Sequence, residues 1–171
     1  MSIMNDFEKF YNSSLRFLSY RPRSEKEIRD NLVRKSRGAR SGSARKKIDP
    51  TMIDRVINKL KEQKFINDEE FAKWWIEQRT SFRPRSLRLI KIELRQKGIS
   101  NEIIDKMIYD LRLMIDDLEQ AKKLVEKRIR RFRNKFGMTR EEMNQKLGGF
   151  LARRGFDWDT IKQSIDELVF K

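Results

Sequence analysis

One tetrapeptide is written twice in this chain, and it constrains the fold more than any other feature. Arg21-Pro22-Arg23-Ser24 returns 62 residues later as Arg83-Pro84-Arg85-Ser86, each time behind an aromatic residue, Tyr20 or Phe82. At the same offset Ile28 and Leu32 fall on Ile90 and Leu94, while Lys26 and Arg29 fall on Arg88 and Lys91. After an 11-residue slip, Ile48, Met52, Ile53, Ile57 and Leu60 match Ile99, Ile103, Ile104, Ile108 and Leu111. A fainter third copy aligns Leu147, Leu151, Gly155, Phe156, Ile161, Ile165 and Leu168 with Ile90, Leu94, Gly98, Ile99, Ile104, Ile108 and Leu111. The matched apolar residues recur at i, i+4 and i+7 or i+8, which is one buried face of a helix. A repeat of this kind means one small unit built several times over.

Cap signals define the helices of that unit. Ser24 with Glu27 and Thr139 with Glu142 read as capping boxes, in which two side chains satisfy otherwise unpaired N–H groups. Asn67 with Glu70 is a variant of the same device. Asp49-Pro50 puts a cap before a proline whose missing N–H costs nothing at the first helical position. Ser100 and Asp157 are further caps, and Gly98 and Gly155 stand where helices should stop. Nine helices follow, near 5–20, 24–35, 50–63, 68–81, 86–97, 101–113, 116–135, 140–154 and 158–169, with no convincing strand. The expectation is an all-α protein: a tandem array of three three-helix repeats, elongated and curved, with modules at 1–67, 68–115 and 116–171. A unit of about 50 residues barely buries a core alone, so neighbouring units support one another.

Composition sharpens this. The 171 residues include 41 Lys and Arg against 26 Asp and Glu, a formal net charge of +15, and no His or Cys. Lacking both, the chain has no disulfides, thiolate metal site, cysteine nucleophile, histidine-based triad or ordinary catalytic zinc site. The acidic groups Asp116-Asp117, Asp157/Asp159 and Asp68-Glu69-Glu70 each open a helix, where carboxylates favour the dipole. Gly148-Gly149 belongs to no phosphate-loop motif. The reading is a protein that is not an enzyme and needs no cofactor. Neither a signal peptide nor an apolar run of spanning length is seen, so no membrane partner and a cytoplasmic location are expected.

The charge is unevenly spread: net +9 over residues 1–67, zero over 68–118, and +6 over 119–171. Such an excess seeks an anionic partner, most commonly nucleic acid. In the seventh helix, Lys122, Lys123, Lys127, Arg128, Arg130, Arg131, Arg133 and Lys135 surround an apolar stripe of Val125, Ile129, Phe132 and Phe136. Contact with phosphate or an acidic surface stands against a merely solvated face; with only Glu119 and Glu126 nearby, pairing along the helix does not explain the pattern. In the repeated tetrapeptide, Pro and Ser are accounted for as the stop of one helix and the start of the next. Arg21, Arg23, Arg83 and Arg85 are not, and with Lys26, Arg29, Arg88 and Lys91 they outline an anion-binding edge in each module. Residues 36–47, Gly/Ser-rich with Arg37, Arg40, Arg45, Lys46 and Lys47 and no acid, read as a flexible basic loop. Phe71 and Trp75 suit the core, Trp74 a seam between modules, and Trp158 packing.

Four segments in order carry a resemblance: Tyr20–Leu32 (YRPRSEKEIRDNL), Phe65–Ala72 (FINDEEFA) running to Arg79, Ile92–Ile99 (IELRQKGI) and Phe150–Phe156 (FLARRGF). Together they resemble the RecX family of recombination regulators, over roughly residues 15–170. The resemblance implies tandem three-helix repeats. It also implies a non-enzymatic modulator of the RecA recombinase, acting in recombination, DNA repair and the SOS response. Such a protein binds the RecA–single-stranded-DNA filament and blocks its extension or promotes its disassembly; direct contact with single-stranded or duplex DNA is a further family property. With no long heptad seam, a monomer is expected. The alternative is a free-standing helical DNA- or RNA-binding protein of helix-turn-helix or nucleoid type, which needs a recognition helix and usually a dimer. The 36–47 segment lengthens the first module beyond the family's pattern.

Overall fold

The expected caps are present in the computed structural model of the chain, which describes residues 2–37, 49–111, 116–133 and 139–169. Thr139 and Glu142 form both halves of a capping box, and Asp49 accepts from the Thr51 N–H ahead of Pro50. Asn67, Ser100 and Asp157 accept from the N–H groups of Glu69, Ile103 and Thr160. Ser24 completes only half of its box: its hydroxyl accepts from the Glu27 N–H, while the Glu27 carboxylate is taken by basic side chains.

The helices so defined are α1 (Ser2–Leu18), α2 (Glu25–Arg37), α3 (Pro50–Glu62), α4 (Asp68–Glu77), α5 (Leu87–Gln96), α6 (Asn101–Leu111), α7 (Asp117–Arg133), α8 (Arg140–Ala152) and α9 (Trp158–Val169), with no strand among the described residues. This is an all-α array of three-helix repeats. One boundary differs from expectation. The fourth helix does not run as an α-helix to residue 81 but widens into a π-helical turn over Gln78–Phe82, closed by the Arg83 N–H on the Gln78 carbonyl at 3.2 Å. Two local causes are evident. The Thr80 hydroxyl donates back to the Ile76 and Glu77 carbonyls, and a residue before proline, here Arg83, is driven out of the α region.

The chain divides into two compact units, Met1–Trp74 with Arg95–Ile103, and Trp75–Leu94 with Ile104–Lys171. In the first, α1, α2 and α3 pack around Ile28, Leu32, Val56, Ile57 and Leu60, with Phe7, Phe10 and Leu15 of α1 closing one side. In the second, α7, α8 and α9 pack around Ala121, Val125, Ile129, Leu147, Leu151, Phe156 and Ile161. The repeat-aligned positions Ile28, Ile90 and Leu147, and Leu32, Leu94 and Leu151, are all buried. Each such Leu or Ile contributes about 1.5–3 kcal/mol of burial energy.

Within each unit the repeated serine makes the same junction. The Ser24 hydroxyl donates to the Lys97 carbonyl at 2.7 Å, next to Gly98; the Ser86 hydroxyl donates to the Gly155 carbonyl at 2.7 Å. Beside each serine the next backbone N–H is capped by a distant aspartate: Glu25 N–H by Asp68 at 2.9 Å, and Leu87 N–H by Asp117 at 3.1 Å. Gly98 and Gly155 occupy the left-handed region at φ +82° and +86°. A Cβ on Gly98 would lie 2.6 Å from Lys26 Cβ, and one on Gly155 would lie 2.6 Å from Leu89 Cβ. Only glycine permits these approaches.

Of the tryptophans, Trp75 is buried, and its indole N–H donates to Glu93 at 2.9 Å. Trp74 is half-buried, with Phe71 and the Arg21 guanidinium 5.9 and 5.8 Å from its ring. The packing expected of Trp158 is not found: it is 73% exposed. It occupies the first position of α9, a turn ahead of Ile161, where the buried stripe of that helix begins.

Candidate anion-binding site

The basic residues singled out above separate into those already neutralised within the fold and those left facing solvent. In the first unit most are neutralised. Arg21 reaches both carboxylate oxygens of Glu27, at 2.8 and 3.2 Å, and Lys97 donates to the same carboxylate at 2.7 Å. Arg29 bridges Glu25 and Asp54, each at 2.6 Å, and Lys26 pairs with Asp30 at 2.8 Å. Burial by itself would push the Glu25 and Glu27 carboxyls up. The hydrogen bonds from Lys61 and Arg29, and from Arg21 and Lys97, outweigh it and hold both below the usual range. Arg23 lies over the Phe17 ring at 3.9 Å; burial first, and then Arg21, lower its pKa.

The second unit is arranged differently. Glu93, only 11% exposed, accepts from Trp75, from Arg79 at 2.7 Å and from Arg85. Lys91 pairs with Asp105 at 3.3 Å. The side chains of Arg83 and Arg88 are exposed and make no ion pair or hydrogen bond among the described residues. On α7, Lys127, Arg130 and Arg131 are exposed as well.

Several of these cations meet in one cleft of about 210 Å³ in the second unit. Arg83 enters from the repeated tetrapeptide, Lys127, Arg128 and Arg131 from α7, and Arg154 from the turn after α8; no acidic residue lines it. The order of the elements explains the meeting. Val125 and Ile129 bury one face of α7 against α8 and α9, which turns Lys127, Arg128 and Arg131 outward. Ser86 is tied to Arg154 and Gly155, its N–H on the Arg154 carbonyl at 3.0 Å, and this brings Arg83 to the same place. Phe150 supplies the wall. The guanidinium carbons of Arg154 and Arg128 stand 4.0 and 4.7 Å from its ring, where the π-face attracts cations. Burial first, then crowding by Arg85, Arg128 and Arg153, pushes the Arg154 pKa below its ordinary value. Positive charge gathered without acids favours a bound anion.

Of the sequence-derived candidates, the structure gathers Arg83, Lys127, Arg128 and Arg131. Arg88, Lys91 and Arg130 lie elsewhere on the unit, and Arg85 is held by Glu93. The side chain of Arg133 and the whole of Lys135 lie outside the described residues, as do the Phe132 side chain and Phe136. The basic loop residues Arg40, Arg45, Lys46 and Lys47, and the Arg37 side chain, also lie outside. Arg154 and Phe150 were missed by sequence reasoning. The signal for both was the Phe150–Phe156 segment, which carried the family resemblance without being read as a contact site.

The site contains no catalytic constellation, and among the described residues no three His, Cys, Asp or Glu side chains are grouped to hold a metal ion. No described helix is long and apolar enough to cross a membrane.

Comparison with known proteins adds a family to this geometry. Family models for the first, second and third three-helix domains of RecX match residues 11–36, 67–108 and 115–165. A regulatory protein RecX from Finegoldia magna is 32% identical over 94% of this chain and 72% of its own length. Another, from Bacillus subtilis, is 29% identical over 98% of this chain and 58% of its own length, so the chain spans a little over half of that relative. The crystal structure of RecX from Lactobacillus salivarius matches with a TM-score of 0.67 at 26% identity, covering 98% of this chain and 99% of that one. Three matched domains in order over an all-α array, with a relative 32% identical over 72% of its own length, place this chain in the RecX family of regulatory proteins.

Proposed function

We propose that this chain regulates the RecA recombinase by binding the RecA–single-stranded-DNA filament and limiting its activity in recombination, DNA repair and the SOS response. It acts by blocking filament extension or promoting disassembly, as a cytoplasmic monomer, and does so by binding rather than by catalysis. The observation that carries the reading, alongside the family, is the cationic cleft of the second unit, which no acidic residue lines. A filament is a repeating polyanion, and several weak contacts along it add through effective concentration. The three modules at 1–67, 68–115 and 116–171 are the units that would make such contacts in series. Arg83, Lys127, Arg128 and Arg131 supply the leading contact, and Arg88, Lys91, Arg130, Arg133 and Lys135 are further contact candidates outside the cleft lining. Arg21, Arg23, Lys26, Arg29 and Arg85 act chiefly by shaping the fold. The loop cations Arg37, Arg40, Arg45, Lys46 and Lys47 add to the attraction at long range.

The test is single-stranded-DNA-dependent ATP hydrolysis by the cognate RecA, titrated with this protein. Inhibition at concentrations well below those that saturate the DNA is the expected result. Inhibition that appears only as the bare DNA becomes saturated would mean competition for DNA, and the free-standing DNA-binding alternative would replace this reading.

A further inference from the structure

The cationic cleft has an aromatic ring at its edge that the fold does not use. Phe82 lines the cleft and is 75% exposed. It immediately precedes Arg83, so a flat apolar face and a guanidinium without an ion pair stand side by side. Phe150, by contrast, is covered by two arginines and by its own core. An exposed ring beside a small basic cleft is the combination single-stranded nucleic acid uses, because each nucleotide offers a phosphate and a base face together. Duplex DNA offers the phosphate only, its bases being stacked on one another already. A purely acidic protein segment offers carboxylates without a ring at every unit of its backbone, whereas each nucleotide carries both. The cleft is also too small for a protein element, at about 210 Å³, below the range of drug-sized ligand pockets.

We infer that this cleft is a nucleotide-reading site for single-stranded nucleic acid: one backbone phosphate sits among Arg83, Lys127, Arg131 and Arg154, and the adjoining base stacks on Phe82. This deepens the proposed function and rests on it for which strand is met, that of the filament. The first tetrapeptide provides an internal comparison. Tyr20 is equally exposed, at 77%, but the arginine beside it is engaged with Glu27. Ring and free charge are therefore not paired there, and the first copy is not such a site.

The experiment measures binding of the full chain to a fluorescein-labelled oligothymidylate, and to a duplex of equal length, by fluorescence anisotropy across a salt series. Phe82→Ala should weaken single-strand binding by at least about fivefold, the low end of what base stacking on a ring contributes. Duplex binding should stay within about twofold, well short of that stacking effect. Phe82→Trp should restore the affinity, and Tyr20→Ala should leave it unchanged. Lys127→Glu combined with Arg131→Glu should weaken binding to both DNAs, with the salt slope on single strands falling by roughly 0.7 for each phosphate that is no longer neutralised. All of these positions are exposed, and circular dichroism checks that each variant is folded. Equal losses on both DNAs for Phe82→Ala, or no loss on either, would overturn the stacking role. An unchanged affinity for the charge-reversed variant would overturn the site. Displacement of the oligonucleotide by polyglutamate as readily as by unlabelled oligothymidylate would assign the cleft to protein carboxylates instead. RecA inhibition by the unaltered chain is scored separately, so failure of the regulator reading and failure of this site are distinct results.

Discussion

The two Arg-Pro-Arg-Ser segments share a backbone device and differ in what becomes of their arginines. In both, the serine caps a helix and donates to a carbonyl at a helix end closed by a left-handed glycine, that of Lys97 before Gly98 or that of Gly155 itself, and an aspartate from another helix caps the following N–H. In the first, Arg21 is bound by Glu27; in the second, the aligned position is Leu89 and Arg83 is left exposed. The second arginine behaves in the opposite sense. Arg85 finds Glu93, whereas its counterpart Arg23 faces Asn31 in the alignment and lies on Phe17 instead. Helix α2 carries Glu25, Glu27 and Asp30, while α5 carries Glu93 alone. The lesson is that the repeat preserves the junction between helices, and the acids on the following helix decide which cations remain available for a partner.

The comparison is tested hardest at the glycines. Gly98→Ala and Gly155→Ala should each destabilise by about 3 kcal/mol, combining the left-handed penalty with overpacking against the Cβ of Lys26 or Leu89. Urea unfolding of each variant measures this. A large loss at one glycine and none at the other would mean the two junctions are not equivalent.

A smaller, asymmetric effect is expected at the first arginines. Arg21→Gln removes a bidentate partner from the part-buried Glu27 and should cost ~1–2 kcal/mol. Arg83→Gln removes no ion pair and should stay within ~0.5 kcal/mol. Equal costs would erase the distinction between an internal and a surface-directed arginine.

The smallest effect concerns pH. Burial pushes the Asp68 and Asp117 carboxyls above their ordinary value, and the single N–H that each accepts only partly offsets it. For a carboxyl raised in the folded state, the ionised form carries a cost at neutral pH that is relieved as pH falls through the folded pKa towards the unfolded value. Glu25 and Glu27, held low, act in the opposite sense: their stabilisation is present at neutral pH and is lost as pH falls below the usual carboxylate range. Asp68→Asn and Asp117→Asn keep an acceptor for the N–H and remove the titration. Both should be tolerated at neutral pH, and both should make stability fall more steeply on mild acidification than in the parent. Thermal unfolding at a series of pH values reads the difference, and an unchanged pH profile would break the account.

Much of the fold was legible in the sequence because its signals are local. Capping residues act on the N–H groups two or three positions away, and the apolar period belongs to a single helix, so Thr139, Asp49, Ile28 and Leu147 behave as read. The readings that changed depend on contacts between residues distant in the chain. Ser24 read as one half of a local box, but Glu27 is drawn off by Arg21 and Lys97. Asp68 and Asp117 read as caps of their own helices, yet each serves the helix of a tetrapeptide many residues earlier. Trp158 read as packing from its place just after a cap, yet it is largely exposed.

The same division holds for the candidate site. By itself the sequence determined that the chain is helical, repeated, strongly basic and without the side chains of histidine-based or thiol catalysis, because these follow from residue type and spacing. Only the tertiary structure decided which of its cations are free. Ion pairing depends on where an acid lies in space, and the fold brings Arg83, Lys127, Arg131 and Arg154 together with no carboxylate among them, while it sets Glu27 against Arg21 and both Glu25 and Asp54 against Arg29.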